Sequence, residues 1–198
     1  MNQKNNLETQ KNNLMIKFSQ GFIGYVETSD LELKYSELEI EEAVNMTAET
    51  KFSDFKIGTV EVLTLETGYD DDHIGSVRDL DIKSGFSDIE VRSLETRLKA
   101  DCDYGELIVK QVDKDFNLID ITNSFADATI GLYPNVSFKI VATVKMGDLD
   151  FPEDNARLSV VDLSGSSKKY EGVVGDGDTT NARILVEAKY SDITIYYR

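Results

Sequence analysis

The chain has 198 residues, 40 per cent of them hydrophobic, with 37 acidic against 21 basic residues and a formal net charge of −16. That size and apolar content suit one substantial core and a single domain, while the charge disfavours nucleic acid and anionic lipid, which need Lys/Arg surfaces. No apolar run is long enough to read as a transmembrane helix, and no charged start leads into a hydrophobic segment and cleavage site.

The opening stretch, Met1 to Asn13, is polar and irregular and reads as a frayed segment or entry cap. Phe18 stands 17 residues before Tyr35 and opens an imperfect first rung, so residues 1–29 are taken as cap plus first rung and 30–198 as the main domain. From there one period dominates. Tyr35, Phe52, Tyr69 and Phe86 lie 17 residues apart, and Tyr104, Phe125, Met146 and Tyr190 continue at gaps of 18, 21, 21 and 44. A fixed short period marks a stacked repeat, whose unit cannot bury its apolar side alone.

Counted from each aromatic, the columns are consistent. Position −6 holds Met46, Leu63, Leu80, Leu98, Ile119, Ile140 and Ile184; position −4 holds Leu31, Ala48, Leu65, Ile82, Ala100, Ile121, Ala142 and Val186. Two residues apart and both apolar, they share one face of a strand. Small residues follow at +1, with Asp70 the exception, and apolar residues at +5 and +8. No helical stripe is present. Each unit reads as two or three short strands joined by tight turns.

Two all-β arrangements fit: a parallel β-solenoid with rungs of about 17–21 residues, or an antiparallel meander closing into a barrel or sandwich. A meander has no reason to repeat residue identity every 17 positions, whereas a parallel coil stacks like on like. The columns therefore favour the solenoid. About ten rungs at roughly 4.8 Å each would make a rod on the order of 45–50 Å long.

An acidic residue stands at +2 in every unit: Glu37, Asp54, Asp71, Asp88, Glu106, Asp127, Asp148 and Asp192. In a parallel stack these form a carboxylate ladder, each neighbouring pair repelling by about 0.9 kcal/mol in bulk water. The bland reading is that each accepts backbone N–H bonds within its own turn. The functional alternative is a weak Ca²⁺ stripe through Asp71, Asp88, Glu106, Asp127 and Asp148, since Ca²⁺ favours carboxylate oxygens. No other cofactor is expected.

Asp70, Asp71, Asp72 and His73 break the repeat at +1 and +3, and departures from a repeat can mark a site. One histidine lacks the second His or Cys of a zinc centre, however, so a solvated turn is expected, with His73 pointing outward. A polar column at −2, Thr50, Thr67, Ser84, Cys102 and Asn123, would bond along the rod if it faces inward. Cys102 is then a buried, inert thiol, and it has no cysteine partner for an internal disulfide. With a single histidine no Ser-His-Asp or Cys-His set can be assembled. The one insertion, between Phe151 and Ile184, offers a strand at Leu158, Val160 and Val161, and Gly175-Asp176-Gly177-Asp178 reads as a tight turn or a weak calcium signal.

The units Tyr104-Gly105-Glu106-Leu107 and Tyr190-Ser191-Asp192-Ile193, with Tyr170-Glu171-Gly172 near the end, resemble the repeated Tyr-Gly-Asp-Ile signature of adhesin-like β-solenoid domains of bacterial cell-envelope proteins. These domains are similar to auto-transporter adhesin heads, and the resemblance covers about residues 30–198. It implies a right-handed parallel β-helix, export to the cell envelope or cell surface from a precursor, and no catalytic residues to carry over. The expectation is thus a non-enzymatic structural or adhesin-like solenoid that binds protein or glycan, or itself end to end, with the segment before Phe18 or the tail Tyr196-Tyr197-Arg198 covering an edge. The competing expectations are a carbohydrate-active enzyme using Asp70, Asp71 and Asp72 over a cleft, and a periplasmic carrier of apolar ligands built on the hollow meander.

Overall fold

In the computed structural model, which describes residues 12–153, 155–177 and 180–198, strands form wherever side chains alternate in and out. β1 (Asn12–Lys17), β2 (Gln20–Lys34), β3 (Glu37–Lys51) and β4 (Asp54–Gly68) set the pattern. In β3, Leu38, Ile40, Ala43, Met46, Ala48 and Thr50 are buried while Glu39, Glu41, Glu42 and Glu49 face solvent. Pairing breaks at Glu41 and Val44 and at their equivalents, so each turn is three straight runs around an apolar interior.

Consecutive turns pair in parallel and in register, as Leu31, Ala48, Leu65 and Ile82 show by lying over one another. β5 (Asp71–Val112) runs unbroken through more than two turns and leads to β6 (Leu118–Leu132). The chain is an all-β solenoid of about 7 turns, without helix among the described residues. The parallel register overturns the antiparallel meander, and with it the hollow carrier. Phe55, Phe138, Leu33, Leu38, Ile40 and Leu63 fill the interior with no exposed surface or almost none. Burying each such side chain contributes about 1.5–3 kcal/mol.

The coil holds about seven turns instead of the ten expected, in part because the chain leaves it after Phe151 and rejoins only at Arg183. After β7 (Phe138–Lys145) and β8 (Leu149–Asp150), β9 (Arg157–Ser164) and β10 (Ser167–Val174) form a hairpin whose second strand lies antiparallel on β7. Leu158, Val160 and Val161 supply the expected strand. The chain then turns back. β11 (Arg183–Lys189) enters between β6 and β7, parallel to both, and β12 (Ile193–Tyr197) lies between β6 and β8. β8 meets β12 only at Ile193 and Thr194, so the tail Tyr196-Tyr197-Arg198 lies against one neighbour, covering the β6 edge at Gly131 and Leu132, with the Arg198 N–H donating to Leu132 O at 3.0 Å. Of the expected entry cap, residues 1–11 lie outside the described residues.

One corner of every turn is made by the aromatic itself. Phe18, Tyr35, Phe52, Tyr69, Phe86, Tyr104, Phe125, Met146 and Tyr190 all have φ between 50° and 63°, a left-handed conformation that costs an L-residue about 1–2 kcal/mol. The serine that follows helps to offset this. Ser36 Oγ donates to Lys34 O at 2.8 Å and accepts the Ser19 N–H at 3.1 Å; Ser53 Oγ donates to Lys51 O at 2.9 Å and accepts the Ser36 N–H at 3.3 Å. Ser36, Ser53, Asp70, Ser87 and Ser191 at +1 thus each tie their corner to the turn before it, leaving few backbone donors unmade there.

Candidate functional site

Because the left-handed corner points its side chain away from the core, the aromatics form an external ladder. Eight rings stack in the spatial order Phe18, Tyr35, Phe52, Tyr69, Phe86, Tyr104, Phe125 and Tyr190, with centroids 4.5–5.1 Å apart and planes within 12° of parallel. They remain 42 to 79 per cent exposed. Ring faces are occupied by neighbouring rings, so the surface offered to solvent is a strip of ring edges and tyrosine hydroxyls. Lys51 and Lys189 lie 5.7 Å from the centroids of Phe52 and Tyr190. Met146 takes the corner position in the turn beyond Tyr190. The period was plain in the sequence; the outward direction of the rings was not, and the recurrent Ser at +1 was its only signal.

A groove runs along one side of the ladder between the rings and the +2 carboxylates. The acidic column is stacked as expected: Glu37 lies over Asp54, Asp54 over Asp71, and Glu106 over Asp127. Asp192 from the inserted last turn stands between Asp127 and Asp148. The carboxylates do not bond within their own turns. Asp88, Asp127 and Asp192 accept the N–H of Glu106, Asp192 and Asp148 from the adjacent turn, at 2.8–3.0 Å. The N–H groups of Asp54, Asp71 and Asp88 go instead to the carbonyls of Ser36, Ser53 and Asp70, so the carboxylates of Glu37, Asp54 and Asp71 receive no such bond. Glu37 pairs with Lys56 at 3.4 Å and Asp71 with His73 at 3.5 Å. Among the described residues no three His, Cys, Asp or Glu side chains converge as metal ligands would.

The turn at Asp70 to His73 differs most from expectation. His73 faces outward, as alternation required, but Asp70 and Asp72 are buried, so these three carboxylates do not line a shared open cleft. Asp70 occupies the serine position at the corner. Its Oδ1 accepts the Ser53 N–H at 2.6 Å, and its Oδ2 accepts from Gly68 N–H at 3.0 Å, Thr50 Oγ1 at 2.8 Å and Thr67 Oγ1 at 2.7 Å. Asp72 takes the +3 core position held elsewhere by Leu38, Phe55, Ile89 and Leu107, and is fully buried. Its Oδ2 lies 2.6 Å from Thr67 Oγ1, and its Oδ1 has no partner. Burial pushes its carboxyl up to about 8; the Thr67 hydrogen bond opposes this, and the charges of Asp70, Asp71 and Asp54 add to it.

The −2 column does face inward, but Thr50 and Thr67 meet Asp70 and not each other, Asn123 donates to Ala126 O, and Ser84 Oγ is unpartnered. Cys102 is buried, and burial together with Asp101 and Asp103 pushes its thiol up to about 12, which keeps it unreactive. Gly175 to Gly177 make a tight turn, with Gly175 at φ 97° and the Gly177 N–H bonded to Ser137 Oγ at 2.9 Å; Asp178 lies outside the described residues. No described helix is long and apolar enough to cross a membrane. No family model, curated protein or solved structure matches the chain.

Proposed function

We propose that this chain is a non-enzymatic, adhesin-like structural solenoid of the cell envelope whose ladder side presents a binding surface for a protein or glycan. The single observation that supports this reading is the eight-ring ladder: an exposed apolar strip, continuous from Phe18 to Tyr190 and flanked by a carboxylate row, maintained at corners that each carry backbone strain. Exposed apolar surface of that extent marks interaction surfaces. Ring edges with an acidic margin favour extended partners that lie along the coil axis over ones that need a deep pocket.

The test is a glycan array and a cell-surface pull-down with the purified chain, beside a variant carrying Tyr35→Ser, Phe52→Ser and Phe86→Ser. Capture by the parent and not by the variant supports the ladder as the contact surface. Capture of nothing by the parent, together with an unchanged envelope when the gene is deleted, rejects the reading. The carbohydrate-active alternative has no observation in its favour, since its three aspartates do not converge on open space.

A further inference from the structure

Thr67 Oγ1 lies 2.7 Å from Asp70 Oδ2, 2.6 Å from Asp72 Oδ2 and 3.2 Å from Ser87 Oγ. A hydroxyl has one proton to donate and two lone pairs to receive. It cannot donate to both carboxylates, and two buried anions at that separation would face each other without a cation between them. We infer that Asp72 is a neutral carboxylic acid which donates its own proton to Thr67, and that this proton makes the turn a pH-responsive seam in the middle of the rod.

The assignment follows from counting partners. Asp70 already receives two N–H groups and the Thr50 hydroxyl, so it is the acceptor of the Thr67 proton. Thr67 then accepts from Asp72 and from Ser87, and its three contacts are all satisfied. Ser87 Oγ accepts the Asp70 N–H at 3.1 Å, which frees its proton for Thr67. The unpartnered Asp72 Oδ1 is the carbonyl oxygen of the neutral acid, a far cheaper group to bury than half a carboxylate. Every charge acting on Asp72 in this turn and from β4 is negative, namely Asp70, Asp71 and Asp54. His73 and Lys56 are outward and engaged with Asp71 and Glu37.

The sign follows directly. An aspartate released by unfolding keeps its proton only below about 4, whereas the folded one keeps it to about 8. The proton therefore stabilises the fold fully at acid pH, and that stabilisation is lost as pH rises between those limits. In that window the ratio of the folding constants of the parent chain and Asp72→Asn should fall tenfold for every pH unit. The variant keeps the shape and a donor to Thr67 but has no proton to lose.

The experiment measures urea midpoints of both proteins from pH 5 to 9, and follows the side-chain carboxyl ¹³C shift of Asp72 in the parent over the same range. A parent midpoint that falls steadily relative to that of Asp72→Asn as pH rises towards 8, with a carboxyl that titrates near 8, is the expected result. A constant gap, or a carboxyl that titrates in the ordinary aspartate range, overturns the inference. Should Asp72→Asn fail to fold, Asp72→Leu, which restores the residue of the neighbouring turns, serves in the stability comparison, and the ¹³C titration decides by itself.

Discussion

Replacing Tyr35 by alanine and, separately, by glycine divides ring stacking from backbone strain. The Tyr35 ring stacks on Phe18 and on Phe52, each with centroids 5.1 Å apart, and its φ is 50°. Each stacked pair contributes about 0.5–1.5 kcal/mol, so either substitution removes roughly 1–3 kcal/mol. Because the ring is half exposed, no sealed cavity is left to add to that loss. Alanine retains the left-handed penalty of about 1–2 kcal/mol, whereas glycine escapes it and gives back about 0.5–1 kcal/mol through its freer unfolded chain. Tyr35→Gly should therefore be more stable than Tyr35→Ala by roughly 0.5–1 kcal/mol, the reverse of the usual order within a strand. Urea unfolding at pH 7, with slopes compared alongside midpoints, measures this. An alanine variant as stable as the glycine one would refute strain at the corner, and two variants indistinguishable from the parent would refute the ladder as a source of stability.

A methyl group added at Gly75 would sit 2.1 Å from Gly58 O, while one at Gly24, the same column in the first full turn, meets nothing within 4 Å; Gly75→Ala should lower the thermal midpoint and Gly24→Ala should leave it in place. Thr67→Val preserves volume but strips Asp72 of its acceptor and Asp70 of a donor, and should cost about 2 kcal/mol in urea unfolding at pH 6, where a loss below about 0.5 kcal/mol would contradict the hydrogen-bond assignment. Deleting residues 183–198 opens a slot between β6 and β7. Hydrogen exchange should then show faster exchange at Leu118–Leu132 and Phe138–Lys145 with β2 to β4 unchanged, and full protection throughout would show that the slot is not held by β11.

The period and the columns made the parallel stack legible, because only a register of like on like rewards repetition every 17 residues. Alternation placed His73 outward correctly. Applied one residue earlier it also places Asp72 inward, but the density of charge at Asp70 to His73 made a solvated turn the natural expectation. Burial of these acids depends on local partners, Thr50, Ser53 and Thr67 for Asp70 and Thr67 alone for Asp72, and no spacing rule announces that they meet. The direction of the aromatics was hidden for a related reason: a left-handed corner is unusual for a bulky residue, so the residue type argued for burial and the backbone decided otherwise. The insertion of β11 was not readable either. The gap of 44 between Met146 and Tyr190 reveals an interruption, but the level at which the last turn rejoins is set by which strand edges remain open.

That rejoining gives the molecule a keystone. Leu118–Leu132 and Phe138–Lys145 are made first and must wait, edges apart, until Arg183–Tyr197 has been synthesised and can slide between them. The earlier turns can wind as they emerge, each resting on its predecessor, but this part of the coil locks only once residues 183–197 have been made. A nascent chain stalled anywhere before residue 183 would display two raw strand edges, an invitation to chaperones and to neighbouring copies alike.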